Sequence, residues 1–148
     1  MTSNEWLARG WLTEHRSSRG EVADLLALVE RDLDASRTPG LPADWRFTIA
    51  YNAALQAATL ALAVSGYRAA REAHHYRTIQ SLAWTIGASE ALVVRLDVAR
   101  RKRNLGAYER AGLVSDQEAN EMHALAVELR DMVMDWLRDR HPELLGSP

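Results

Sequence analysis

The chain has 148 residues, 47% hydrophobic and 26% charged, which is material for one globular core and not for two. Its 18 Lys and Arg against 20 Asp and Glu leave a net charge of −2. That balance excludes a globally basic nucleic-acid coat protein but leaves room for a local cationic patch. Cysteine is absent, so disulfides, thiol chemistry and thiolate zinc sites are excluded too. Lys102 is the only lysine and the other 17 cations are arginines. Arginine favours bidentate contacts to phosphate and carboxylate, although a GC-rich genome produces the same bias.

At the amino end, Met1-Thr2-Ser3-Asn4-Glu5 has neither the cationic start nor the apolar stretch of a secretory signal, so a cytoplasmic chain is expected. A first helix is predicted over 4–14, capped by Ser3 and turning Trp6, Leu7 and Trp11 inward. Val22, Leu25, Leu26, Val29 and Leu33 form an apolar stripe at helical spacing, ended by Pro39-Gly40 and Pro42. A long third helix is predicted over 43–69. Its stripe of Phe47, Tyr51, Ala54, Ala58 and Ala61 lets another helix approach closely. The segment 47–67 is low in charge, but Asn52, Gln56, Thr59 and Ser65 and its many alanines point to helix packing rather than a membrane span. Arg71 to His75 reads as a connection and 76–86 as a fourth helix broken at Gly87. Ser89 and Glu90 cap a fifth that reaches Arg103.

Ser115-Asp116-Gln117-Glu118 is a capping box, in which the Ser hydroxyl and the Glu carboxylate each satisfy an orphan amide. Behind it Ala119, Met122, Ala126, Leu129, Val133 and Trp136 repeat at alternating spacings of three and four. Such a stripe requires a partner helix, within the chain or across a dimer. His141-Pro142 ends it. No strand pattern of useful length, internal repeat or linker is visible. The expected fold is all-α, a four- to five-helix up-and-down bundle in a single domain over 1–148.

The densest local signal is Arg100-Arg101-Lys102-Arg103-Asn104, which sets four cations within about one helical turn. Leu92, Leu96, Ala99 and Arg103 share one face, so Arg103 projects from the apolar side while Arg100 and Arg101 point elsewhere. A guanidinium there must find an anion. Asp97 or Glu90 would serve as internal partners, and a bound phosphate would serve equally. His74-His75 point apart on a helix and have no third ligand at metal spacing, so a structural role is expected and no metal is assigned. The five tryptophans Trp6, Trp11, Trp45, Trp84 and Trp136 sit among Leu and Val and read as core or interface anchors rather than a base-stacking platform. No Gly-rich phosphate loop or nucleophile elbow appears, and no cofactor is called for.

Several of these pieces recur in order in one family. The chain resembles the HEPN superfamily (higher eukaryotes and prokaryotes nucleotide-binding) over 45–144. The resemblance rests on Tyr51-Asn52-Ala53-Ala54-Leu55, Gly66-Tyr67-Arg68, His74-His75-Tyr76, Leu96-Asp97, the Arg100 to Asn104 run with Tyr108, and Trp136-Leu137 before His141-Pro142. It implies a helical bundle that dimerises, and in active members a metal-independent endoribonuclease. The family signature is an Arg, four to six residues, then a His, with the two copies meeting in a cleft at the interface. Carried across, Arg103 matches the arginine and Asn104 its polar neighbour, with Arg100, Arg101 and Lys102 as further phosphate-binding cations. Tyr108 stands where the histidine belongs. Tyrosine, with an ordinary pKa of about 10, donates hydrogen bonds but is a poor base at pH 7.

Three functions follow from the resemblance: a toxin-like ribonuclease using Arg103, Asn104 and Tyr108; a degenerate homodimer binding RNA or a nucleotide in the same cleft; or the HEPN half of a pair with a cognate nucleotidyltransferase-type protein. No membrane partner is expected.

Overall fold

The computed structural model describes residues 3–108 and 114–146, with side chains placed for 3–104 and 114–146. The chain is an all-α bundle. Five helices build it: α2 (Arg19–Ala35), α3 (Ala43–Val64), α4 (His74–Thr85), α5 (Glu90–Tyr108) and α6 (Asp116–Arg140). A short helix, α1 (Ser3–Ala8), and a two-stranded ribbon, β1 (Leu12–Glu14) with β2 (Tyr67–Ala69), lie to one side, and a 3₁₀ turn over Pro142–Leu144 follows α6.

The central element is α3, which touches α2, α4, α5 and α6. Ala50, Ala53, Ala54, Ala57, Ala58, Ala61 and Ala63 are all buried along it. Side chains this small let neighbouring axes come close, so one helix is enclosed on several sides without a bulky core. By length and composition alone α3 would cross a membrane, yet most of it is covered by the rest of the bundle.

The stripe on α6 finds its partner inside the chain. Ala119, Met122, Ala126, Leu129 and Val133 are buried, and α6 packs chiefly against α3. The Ser115 capping box is formed as expected, with Glu118 N–H donating to Ser115 Oγ (3.0 Å) and Ser115 N–H to Glu118 Oε1 (3.1 Å). Ser18 caps α2 by accepting from Glu21 N–H, and Ser89 accepts from Leu92 N–H at the start of α5. Leu92, Leu96 and Ala99 are also buried within the chain.

Three expectations are corrected. The first helix does not run over 4–14. It stops at Ala8, and Gly10 (φ +75°) turns the chain back so that Leu12–Glu14 becomes a strand. The third helix ends at Val64 rather than near 69, because Gly66 at φ +104° takes a conformation open mainly to glycine. Residues 67–69 then pair antiparallel with β1, Leu12 opposite Ala69 and Glu14 opposite Tyr67. This ribbon is the strand pair that period-two patterning does not reveal in three-residue segments. Finally, His74 and His75 are not in a connection but form the first turn of α4.

The ribbon and α1 carry a small second core of Trp6, Leu12, Leu62 and Ala69, with Trp11, Tyr67 and Trp84 against it. Trp6 meets Trp11 and Trp84 edge to face at centroid distances of 5.8 and 5.7 Å. Arg77 of α4 stacks over Trp11 at 4.1 Å, which ties the amino-terminal segment to the start of α4.

Candidate functional site

The cationic run lies near the end of α5, and its members have different environments. Arg100 pairs with Asp97 at 2.8 Å and Arg101 reaches the same carboxylate at 3.4 Å. Lys102 pairs with Glu118 of the capping box. These are the ordinary i+3, i+4 and inter-helix solutions for surface charge. Arg103 is different. It has no ion-pair or hydrogen-bond partner among the described residues, and its guanidinium lies over the Tyr51 ring, 5.6 Å from the centroid. The expected internal carboxylate is therefore supplied to its neighbours and not to Arg103. Asn104 is exposed. The helix continues through Gly106 to Tyr108, but the Tyr108 side chain lies outside the described residues.

Beside Arg103 the bundle opens into a cleft of about 340 Å³. Asp44, Trp45 and Thr48 of α3 line one wall, Lys102 and Arg103 of α5 the other, and Phe47 and Val114 are the apolar floor. Two cross-links fix its walls. Arg46 donates to Asp116 at 2.6 Å and to Asn120 at 3.0 Å, joining α3 to α6, while Lys102–Glu118 joins α5 to α6. Trp45 is 60% exposed at this cleft, whereas the other four tryptophans are buried or half-buried. Trp45 is therefore not a core anchor of this chain, whereas the other four are packed within it.

On the other side of Arg103, three residues from distant parts of the chain converge. Tyr51 is fully buried, and its hydroxyl lies 3.5 Å from His75 Nδ1. Burial pushes the Tyr51 phenol up to about 12 against the opposing pull of Arg103 and Arg100, so it stays a neutral donor and acceptor. Burial also lowers the His75 pKa, and Arg103, His74 and Arg100 lower it further. His75 is therefore a neutral imidazole near pH 7. The tautomer that donates Nδ1–H to Tyr51 Oη leaves Nε2 unprotonated, which is the form a general base requires. Arg100 stacks on Tyr76 at 5.4 Å, completing an Arg–aromatic layer over the start of α4.

His123 is lowered in the same direction, by burial first and then by Arg37 and Arg130, with Asp34 opposing. Its Nδ1 lies 2.8 Å from Ser36 Oγ, linking α6 to the end of α2. A histidine with a folded pKa below its unfolded value of 6.5 is protonated more readily in the unfolded chain. Stability is then complete above 6.5 and declines as pH falls through the folded values. Denaturant unfolding at pH 7.5 and 5.5 should show this loss, and His75→Gln should make it smaller. An equal loss in the variant would place the titration elsewhere.

Among the described residues no group of three or more His, Cys, Asp or Glu is set to hold a metal ion. Of the sequence-derived site residues, the structure separates Arg103 from Arg100, Arg101 and Lys102 by partner. It also adds Tyr51, His75 and Trp45, which spacing did not select. Comparison with protein-family models, curated proteins and solved structures gives no match to this chain.

Proposed function

We propose that this chain is an HEPN-like homodimeric protein that binds an RNA or nucleotide phosphate through Arg103. The observation that carries this reading is the pairing pattern of the run: among the described residues three of its cations have carboxylate partners, and the fourth, on a cleft, has none. A half-buried guanidinium with no ion-pair partner among the described residues gains most from a bidentate anion, and phosphate matches its fork. The dimer is supported by the resemblance and by Val94 and Val98, which stay half exposed on the outer face of α5 beside a groove reaching Phe47.

The test is equilibrium binding of a labelled RNA oligonucleotide over a range of salt. Affinity should fall steeply with salt as condensed counterions are released, and one lost phosphate contact should flatten the slope by about 0.7. Arg103→Ala should show that flattening and a clear loss of affinity, and Arg101→Ala, whose charge is exposed and already paired to Asp97, much less. Equal effects of the two, or no binding at low salt, would overturn the reading.

A second reading, cleavage of the bound RNA, is favoured by one observation: neutral His75 lies within reach of Tyr51 and close enough to Arg103 to feel its charge. In this reading His75 would do the proton transfer for which Tyr108 is poorly suited.

A further inference from the structure

Among the described residues Trp45 is the most exposed of four large exposed hydrophobics, the others being Tyr76, Val94 and Val98. An indole 60% exposed on the amino-terminal turn of a helix leaves a large apolar area in water. Single exposed apolar residues are common, but this one shares its cleft with Arg103, which has no anion partner among the described residues. The cleft is also electrically divided. Arg103 and Lys102 stand on the α5 wall, and Lys102 is already neutralised by Glu118, so Arg103 provides the free positive charge. Asp44 and Thr48 stand on the α3 wall with Trp45, and Asp44 has no ion-pair partner among the described residues. A simple polyanion suits one wall and is repelled by the other. A ligand with a phosphate at one end and a flat, N–H-bearing ring at the other suits both.

We propose that Trp45 is a stacking site for one nucleobase, placed so that the adjoining phosphate reaches Arg103 and the N–H edge of the base faces Asp44 and Thr48. The volume of about 340 Å³ is at the small end of the range for ligand sites, right for one nucleotide unit. This inference rests on the phosphate reading of Arg103 and adds to it the part of the ligand that is not phosphate.

The experiment compares two labelled probes of equal length and charge: an adenine hexaribonucleotide and an abasic hexanucleotide. Trp45→Ala should weaken binding of the adenine probe by about 5- to 150-fold, the usual effect of losing one base–aromatic stack, and leave the abasic probe unchanged. Trp45→Phe should restore most of the loss, because a smaller ring still stacks. Arg103→Ala should weaken both probes. Titrating the adenine probe should quench the tryptophan emission of the wild type and not that of Trp45→Phe.

Failure of the two readings is distinguishable. If Arg103→Ala affects neither probe while Trp45→Ala still discriminates them, the phosphate assignment is wrong and the stacking site stands. If Trp45→Ala weakens both probes alike, or neither, the stacking site is overturned. It is overturned as well if light scattering shows that Trp45→Ala turns a dimer into a monomer with both affinities lost together, for Trp45 is then a contact between subunits.

Discussion

RNA cleavage near neutral pH is expected to rise by about 10²-fold or more when Tyr108 is replaced by histidine, and to remain weak in the wild type. A positioned proton-transfer group contributes roughly 10²–10⁴ in rate, and a tyrosine in the motif position does not supply one at pH 7. Arg103 and Asn104 remain as donors, so substrate binding should change little and the gain should appear in turnover. The wild type also carries His75 beside the arginine, a proton-transfer group held neutral by burial and by Arg103. Any residual wild-type cleavage should therefore be lost in His75→Gln with RNA affinity preserved. Brisk wild-type cleavage that survives His75→Gln would sink the cleavage reading as drawn. A Tyr108→His variant that binds RNA and gains nothing would leave a binding cleft only.

The largest effect on stability is expected at the α3–α6 contact. Leu129 is fully buried on α6, and Leu129→Ala should cost about 2–5 kcal/mol, the upper half of this range being expected here. The reason lies in α3. Cavities shrink when neighbouring side chains swing into them, and α3, which packs on α6, buries mostly alanines that have little to swing. For a chain of this size the loss corresponds to a fall in Tm of roughly 2–4 °C per kcal/mol. Urea unfolding at unchanged m-value would check it. Asp24→Ala, at an exposed position on α2, should stay within about 0.5 kcal/mol of the wild type. Similar losses at both positions would mean that the α3–α6 seam is not the main core.

How much of this was legible beforehand depends on the sequence distance each interaction spans. The capping box at Ser115 lies within four residues, where helix geometry alone dictates the neighbours; Asp97 was legible as a partner for the cationic run, but for Arg103, whereas it pairs with Arg100 and Arg101. The helix faces of α2 and α6 were readable for the same reason. The Tyr51–His75–Arg103 cluster joins α3, α4 and α5, and nothing in the local pattern brings those positions together. Lys102–Glu118 crosses between helices in the same way. Trp45 had a usable signal. It lies two residues before Phe47, well off the Phe47–Tyr51–Ala54 stripe, between Asp44 and Arg46 on the polar side of the helix. The ribbon had almost none, since three residues show no period and its pairing depends on two glycine turns more than fifty residues apart.

That ribbon has a cost if the amino-terminal segment ever comes away. Leu12, Thr13 and Glu14 cover one side of β2, and the backbone pairing is extended at both ends, by His15 N–H to Gly66 O and by Ala70 N–H to Trp11 O, each 2.8 Å. Losing the first fifteen residues to a protease would leave Tyr67–Ala69 as a bare strand edge, with Trp84 stripped of Trp6. Unpaired edges next to exposed aromatics recruit other chains. A protein clipped there would keep its five-helix bundle and become sticky, so that its first sign of damage would be aggregation rather than unfolding.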